Sequence, residues 1–239
     1  MPRSIAIVRR AVLLLALFVH PLAAAPPAQQ AVGGRALGMG GAYTALAADV
    51  SAVHWNPAGI ASLQRQEIGL ARSDRFGLGL DQSYFGYSLP LGDNQALGLD
   101  WIRLGYADPE LGLNSNRINF SYGYRNGIQA LKPLLGNTAI GISGKYRSLS
   151  VDLDGDNLTA ASGWGFDLGL LVPLPGKLRF GLAVQDYGGT NIRHGEGISE
   201  EAFGARYSYG LAGKPIEGLT LSLRSTTPGA WERNTGCAA

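Results

Sequence analysis

Between Gln66 and Thr226 the chain passes through nine stretches in which apolar or aromatic side chains take alternate positions, with Gly, Ser, Lys, Arg or Asp between them. Arg117 to Arg125 shows the pattern best. There Ile118, Phe120, Tyr122 and Tyr124 fall on one face of an extended strand, and Arg117, Asn119, Ser121, Gly123 and Arg125 on the other. The same alternation sets Ile140, Ile142 and Tyr146 against Ser143, Lys145 and Arg147, and Leu219, Leu221 and Leu223 against Thr220, Ser222 and Arg224. Trp164, Phe166, Leu168 and Leu170 oppose Asp167, and Leu178, Phe180, Leu182 and Val184 oppose Lys177, Arg179 and Gln185. The pattern predicts strands over 66–73, 76–89, 95–106, 117–126, 137–149, 163–173, 177–187, 203–213 and 218–226. Around Ser83 to Phe85 and Asp100 to Ile102 the apolar phase slips by one, which predicts a bulge.

The links between these stretches are of two kinds. After the second, sixth and eighth strands they are compact and built from breakers: Pro90-Leu91-Gly92-Asp93-Asn94, Pro173-Leu174-Pro175-Gly176 and Lys214-Pro215-Ile216-Glu217-Gly218. After the third, fifth and seventh they read as long polar loops, including Ser150 to Ser162 and Gly188 to Glu201. Short turns on one rim and long loops on the other mark outer-membrane barrels. Two links depart from the rule: the hairpin around Asp74-Arg75 is tight, and Gly127 to Gly136 is long.

Strands with one apolar and one polar face suit either a soluble sandwich or a barrel with lipid outside and a polar lumen. The N-terminus favours the barrel. Arg3, Arg9 and Arg10 form a basic head, Ala11 to Val19 an apolar run, and Pro21 to Ala25 a small-residue end, the layout of an exported leader over 1–25. Residues 26–65 then precede the strands of 66–226, and 227–239 form an irregular tail. Within Gly33 to Ala61 the sequence is too rich in small residues and too irregular for a strand. Ala42 to Ala48 are expected to form a short helix, Asp49 to cap the next turn, and Asn56-Pro57 to start another helix with Asn as N-cap and Pro at the first position. Such a compact segment is suited to sit inside a barrel as a plug.

Composition agrees. The chain is 46% hydrophobic and only 16% charged, and its 35 glycines are about twice the usual globular share, a burden for helices but useful where a barrel wall is crowded. No mature segment carries enough consecutive apolar residues for a transmembrane helix. A formal net charge of +2 gives no case for nucleic acid, and the single Cys237 allows no internal disulfide.

The run Arg35-Ala36-Leu37-Gly38-Met39-Gly40-Gly41-Ala42, then Ala45-Leu46-Ala47, then Trp55-Asn56-Pro57-Ala58-Gly59 resembles the N-terminal signature of PorV/PorQ-like outer-membrane proteins. That group is related to the FadL-type long-chain fatty acid transporters, which share the Asn-Pro-Ala element. The likeness continues through Ser162 to Gly169 and Leu182 to Gly188. It implies an all-β transmembrane antiparallel barrel of fourteen strands, in the outer membrane of a diderm bacterium, with a helical hatch in the lumen. Asn56, Pro57, Ala58 and Gly59 would lie in that hatch, on the path of a ligand. Ala48 stands where an acidic residue is common, and His54 where an aromatic one is common.

Nine strands cannot close an even-numbered antiparallel barrel, so a truncated or frameshifted chain is the expectation, with an eight-stranded barrel that discounts 66–73 as the alternative. The inward faces carry Lys145, Arg147, Arg179, Arg206 and Arg224 against Asp100 and Asp167, cations that either draw in carboxylate-bearing solutes or pair within the lumen. Other chemistry is thin. Gly38 to Tyr43 begins like a nucleotide loop, but Tyr43 replaces the third glycine and no strand precedes it. Asp152 to Asn157 resembles a calcium loop yet has Asn157 at the sixth position and Gly163 at the twelfth. His54 and His194 have no second ligand at metal spacing and no Ser-His-acid arrangement, so neither metal, cofactor nor catalysis is expected. The expected partners are outer-membrane lipid and either a hydrophobic solute, for a transporter, or an exported cargo protein, for a secretion accessory; a structural or adhesive barrel is the third reading.

Overall fold

In the computed structural model, the residues described are 32–75, 77, 79–108, 111–126, 137–154, 156–194 and 201–228. The expected leader, the whole 127–136 link and the end of the tail lie outside them. Among the described residues, three short helical pieces come first, α1 (Gly34–Gly38), α2 (Ala52–Trp55) and a 3-10 helix (Pro57–Ser62). Eleven strands follow among the described residues: β1 (Glu67–Arg75), β2 (Leu80–Gly92), β3 (Gln95–Ala107), β4 (Leu111–Arg125), β5 (Ala139–Leu153), β6 (Asp156–Leu174), β7 (Leu178–Gln185), β8 (Thr190–His194), β9 (Glu201–Phe203), β10 (Arg206–Ile216) and β11 (Leu219–Pro228). The protein is all-β, and every pairing is antiparallel. Strand order follows the chain from β1 to β7 and continues to β10 and β11, while β8 pairs with β6 and β9 off that path. No helix among the described residues is long and apolar enough to cross a membrane, which says nothing of strands.

All nine expected strands are present, including the weak first one, so the eight-stranded alternative fails. Several of the expected loops are instead strand. β5 and β6 run on to Leu153 and from Asp156, pairing across most of the supposed Ser150 to Ser162 loop, and β3 and β4 leave only a short link. In these extensions the apolar positions change sides: Leu111, Leu113, Leu149, Val151 and Leu153 continue the row of Arg117 and Arg147, while Asn114, Asn116, Ser148 and Ser150 continue the row of Ile118 and Tyr146. A reading that follows one apolar face therefore stops short of them; cross-strand hydrogen bonds hold them all the same. The expected bulges in β2 and β3 are absent too. Register runs unbroken from Asp81↔Gly105 to Pro90↔Ala96, and the irregularity falls between Pro90 and Gly92. The phase slip is real in sequence, but its cause is that Tyr84 and Ile102 point inward and are buried.

Polarity is inverted relative to a soluble sandwich. On β4 the inward Arg117, Asn119 and Ser121 are buried, while the outward Phe120 is 62% exposed. On β6 Asp167 is buried and Trp164 is 66% exposed. Register aligns the outward residues into rows. Leu70, Phe85, Trp101, Ile118, Tyr146 and Trp164 are cross-strand neighbours in sequence across β1 to β6. Two residues further along each strand the row is Arg72, Ser83, Arg103, Asn116, Ser148 and Ser162, polar on all six strands. At the boundary the Trp101 Nε1–H donates to Asn116 Oδ1 at 3.2 Å, and the Tyr146 and Trp164 rings stand 5.1 Å apart.

The inner face is lined at the opposite end of the size scale. Gly69 pairs with Gly86, Gly123 with Gly141 and Gly141 with Gly169, and Gly181 with Gly210; Gly98 is offset by two residues between the first two groups. A Cβ on these positions would meet Val50, Val53, Ile60, Pro57, Ala58, Asn56, Thr44 or Ala45. The glycines form a belt against which residues 44–61 lie in backbone contact, which explains the glycine excess.

Candidate functional site

The plug is built from turns more than from helices. Ala42 to Ala48 do not form the expected helix: a single turn closes by Ala47 N–H to Tyr43 O at 2.8 Å, and the helical residues lie earlier, in α1. Small side chains leave a helix there with little to bury, so the belt contacts decide the path instead. Asp49 does cap the next turn, its Oδ1 accepting from Ser51 N at 2.9 Å and Ser51 Oγ at 2.5 Å, while its Oδ2 accepts from Tyr43 Oη at 2.5 Å. Burial pushes the Tyr43 phenol up, and the Asp49 carboxylate adds to the rise. Asn56 caps the 3-10 helix through Ala58 N–H to Oδ1 at 3.2 Å, with Pro57 in the first position as expected.

Asn56 also ties the plug to the wall. Its Nδ2 donates to Thr44 O at 2.9 Å inside the plug and to Leu170 O of β6 at 3.2 Å. Its neighbours Pro57, Ala58 and Gly59 are buried with it, and Ala58 and Ala61 meet Ala139 and Leu171 in an apolar cluster. A side chain at position 59 would collide with the Ala47 backbone, so the Asn-Pro-Ala-Gly element packs on both sides. Around it, Glu67 Oε2 of β1 accepts from Val50 N at 2.9 Å, Gln185 Nε2 of β7 donates to His54 O at 2.9 Å, and Arg224 Nη1 of β11 donates to Gly41 O at 3.2 Å. Arg224 also lies 5.1 Å over the Trp55 ring, whose Nε1–H donates to Val32 O. The plug therefore touches both the first and last strands of the path.

The inward cations are not equivalent. Lys145, 1% exposed, is held by Asp167 at 2.6 Å and Asp186 at 3.2 Å. Arg147 pairs with Asp186 at 2.8 Å, and Thr190 Oγ1 and Lys145 share the other oxygen of that carboxylate. Pairing within the wall thus accounts for two of the five. Arg224 serves the plug, and Arg179 and Arg206 are half-buried on the inward faces of β7 and β10. A sixth inward cation, Arg117, was visible in the alternation but had no assigned partner. It is buried and donates through Nη2 to His54 Nδ1 at 2.6 Å. His54 is held well below the ordinary histidine value, by burial first and then by Arg117, Lys145, Arg224 and Arg147. Sequence marked His54 as a departure from an aromatic position and as a histidine without a second metal ligand; Gln185 stood on the polar face of its strand and, with Asp186, within the Leu182–Gly188 likeness, but neither was assigned a partner.

The calcium-like stretch is a hairpin end, in which Asn157 Nδ2 donates to Asp152 Oδ1 at 3.0 Å. Among the described residues no group of three or more His, Cys, Asp or Glu could hold a metal. Two open grooves lie mainly on the outward side. One, of about 480 Å³, is apolar and crosses Phe120, Gly144 and Phe166; the other, of about 490 Å³, takes in Arg72, Asp81, Arg103 and Asn114.

Residues 26–78 match an uncharacterised protein family, UPF0164. The match spans the described plug and β1. No curated protein matches the chain.

Proposed function

We propose that this protein is an outer-membrane β-barrel protein of the FadL and PorV type, with residues 32–63 as a lumenal hatch, and that it passes hydrophobic compounds across that membrane. One observation carries the reading: the outward face changes from apolar to polar along a single cross-strand row on six neighbouring strands. Water alone gives no reason for so sharp a line, whereas the edge of a hydrocarbon layer does. On β6 the outward positions Trp164, Phe166, Leu168, Leu170, Val172 and Leu174 are all apolar. They cover roughly 33 Å of strand, or about 25 Å of height at the usual barrel tilt, the thickness of an outer-membrane apolar band. The hatch fills the space that a solute must cross, so passage requires it to shift.

The test is uptake of a labelled long-chain fatty acid by a diderm host that lacks its own transporter and expresses the full chain. Uptake above the empty host, with the protein in the outer-membrane fraction, is the expected result. A protein recovered from the aqueous periplasm without detergent, or membrane-resident protein that adds no uptake, would overturn the proposal in its first or second part respectively.

A further inference from the structure

Among the tethers between plug and wall, one is built on a histidine, a group whose ordinary pKa of 6.5 is pushed down here by burial and by neighbouring cations. His54 sits in α2 with its ring edge-on to Trp55 at 5.1 Å, and its Nδ1 accepts the Arg117 Nη2 hydrogen at 2.6 Å. Accepting at Nδ1 requires the neutral ring, with its proton on Nε2. The charged groups that act most strongly on His54 are all cations: Arg117 on β4, Lys145 and Arg147 on β5, and Arg224 on β11. The acids nearby are turned to other partners. Asp167 and Asp186 hold Lys145 and Arg147, Asp100 on β3 accepts from Asn119, Glu67 on β1 accepts from Val50, and Asp49 binds Tyr43 and Ser51. From β7 the contact is neutral, Gln185 to the His54 carbonyl.

We propose that the His54–Arg117 contact is a pH-operated latch: with neutral His54 it fastens the hatch to the wall, and a proton taken up at Nδ1 unfastens it. The added proton removes the acceptor and sets one N–H against another, while a new positive charge joins four others with no carboxylate in contact. The hatch then loosens from β4, with the wall's own strand pairing intact. The proposal rests on the hatch reading above.

The sign is definite. Because burial and the surrounding cations disfavour the protonated ring in the folded protein, the latch is complete above the ordinary histidine value of 6.5 and weakens as pH falls below it. Acid therefore opens the latch, and alkali does not.

Hydrogen–deuterium exchange of the folded full chain in detergent, corrected for intrinsic rates, tests this at about pH 8 and about pH 5. Peptides within 44–58 should exchange at least about tenfold faster at the lower pH, while those of β4 to β6 stay protected. His54→Gln, which keeps an acceptor for Arg117 but does not titrate, should abolish the difference. Should that variant fail to fold, Arg117→Gln still decides the matter: with the guanidinium gone the latch cannot form, so peptides within 44–58 should exchange fast at both pH values. A wild-type plug that exchanges alike at both values, or an Arg117→Gln plug that still loosens only at the lower pH, overturns the latch. If the latch responds but fatty acid uptake is absent at either pH, the device stands and the transport reading falls.

Discussion

Asn56 uses one side chain for two jobs, capping its own helix through Oδ1 and fastening the plug through Nδ2. Asn56→Ala loses the cap, worth about 1 kcal/mol, and leaves the carbonyls of Thr44 and Leu170 each short of a donor, for a total of roughly 3 kcal/mol. Asn56→Asp separates the two roles. It keeps the capping oxygen but turns a second oxygen toward two carbonyls, so it should cost more than Asn56→Ala in urea unfolding of the refolded protein. Were capping the main role, the order would reverse. The cap itself was legible, since Asn before Pro ahead of small apolar residues has a local physical cause. The tether was not, because Leu170 lies far along the chain and only folding brings its carbonyl within reach.

At the scale of elements, the sheet and the plug are joined through glycine. Gly141 and Gly144 lie on the same strand three residues apart, yet a side chain at Gly141 would collide with the Pro57–Ala58 backbone and one at Gly144 would meet open space. Gly141→Val should therefore destabilise by about 3 kcal/mol or expel the plug, detected as protease cleavage within 32–63, while Gly144→Val should stay within about 0.5 kcal/mol of the wild type. Equal effects would mean that the belt acts through strand flexibility and not through close approach. The sequence displays the excess of glycine but not its alignment, which depends on register. The same limit applies to strand length: apolar alternation reports a strand only while its apolar side stays on one face, so it located β4 near Arg117 and missed the start at Leu111, where Leu111 and Leu113 fall on the other face.

For the whole molecule the issue is where the solvent changes. If the row from Leu70 to Trp164 borders the hydrocarbon, Phe166→Arg should cost about 2–4 kcal/mol of folding into vesicles, while Ser162→Arg, on the polar row, should cost no more than about 1 kcal/mol. Comparable losses at both positions would remove the membrane boundary from this level. Nine strands on an antiparallel path also leave β1 and β11 running in the same direction, and among the described residues they do not pair with each other. Closing them directly would demand a parallel seam; antiparallel closure demands an odd number of strands between them. Both edges carry exposed apolar residues, Ile68 and Leu70 on β1 and Leu219, Leu221 and Leu223 on β11, so their backbone groups face the same requirement for partners as the rest of the wall.

Period-two alternation is a local property, fixed by where successive side chains point, and it determined the all-β class, the nine principal strands and the division of each into an apolar and a polar face. The cap at Asn56 and the turn at Asp49 were likewise set by neighbouring residues. What only the tertiary structure decided is which inward groups meet: Lys145 with Asp167 and Asp186, Arg117 with His54, and the plug with its glycine seat. Those contacts depend on strand register and on the path of a small-residue segment with little helical preference of its own, and neither is encoded within any short window of the chain.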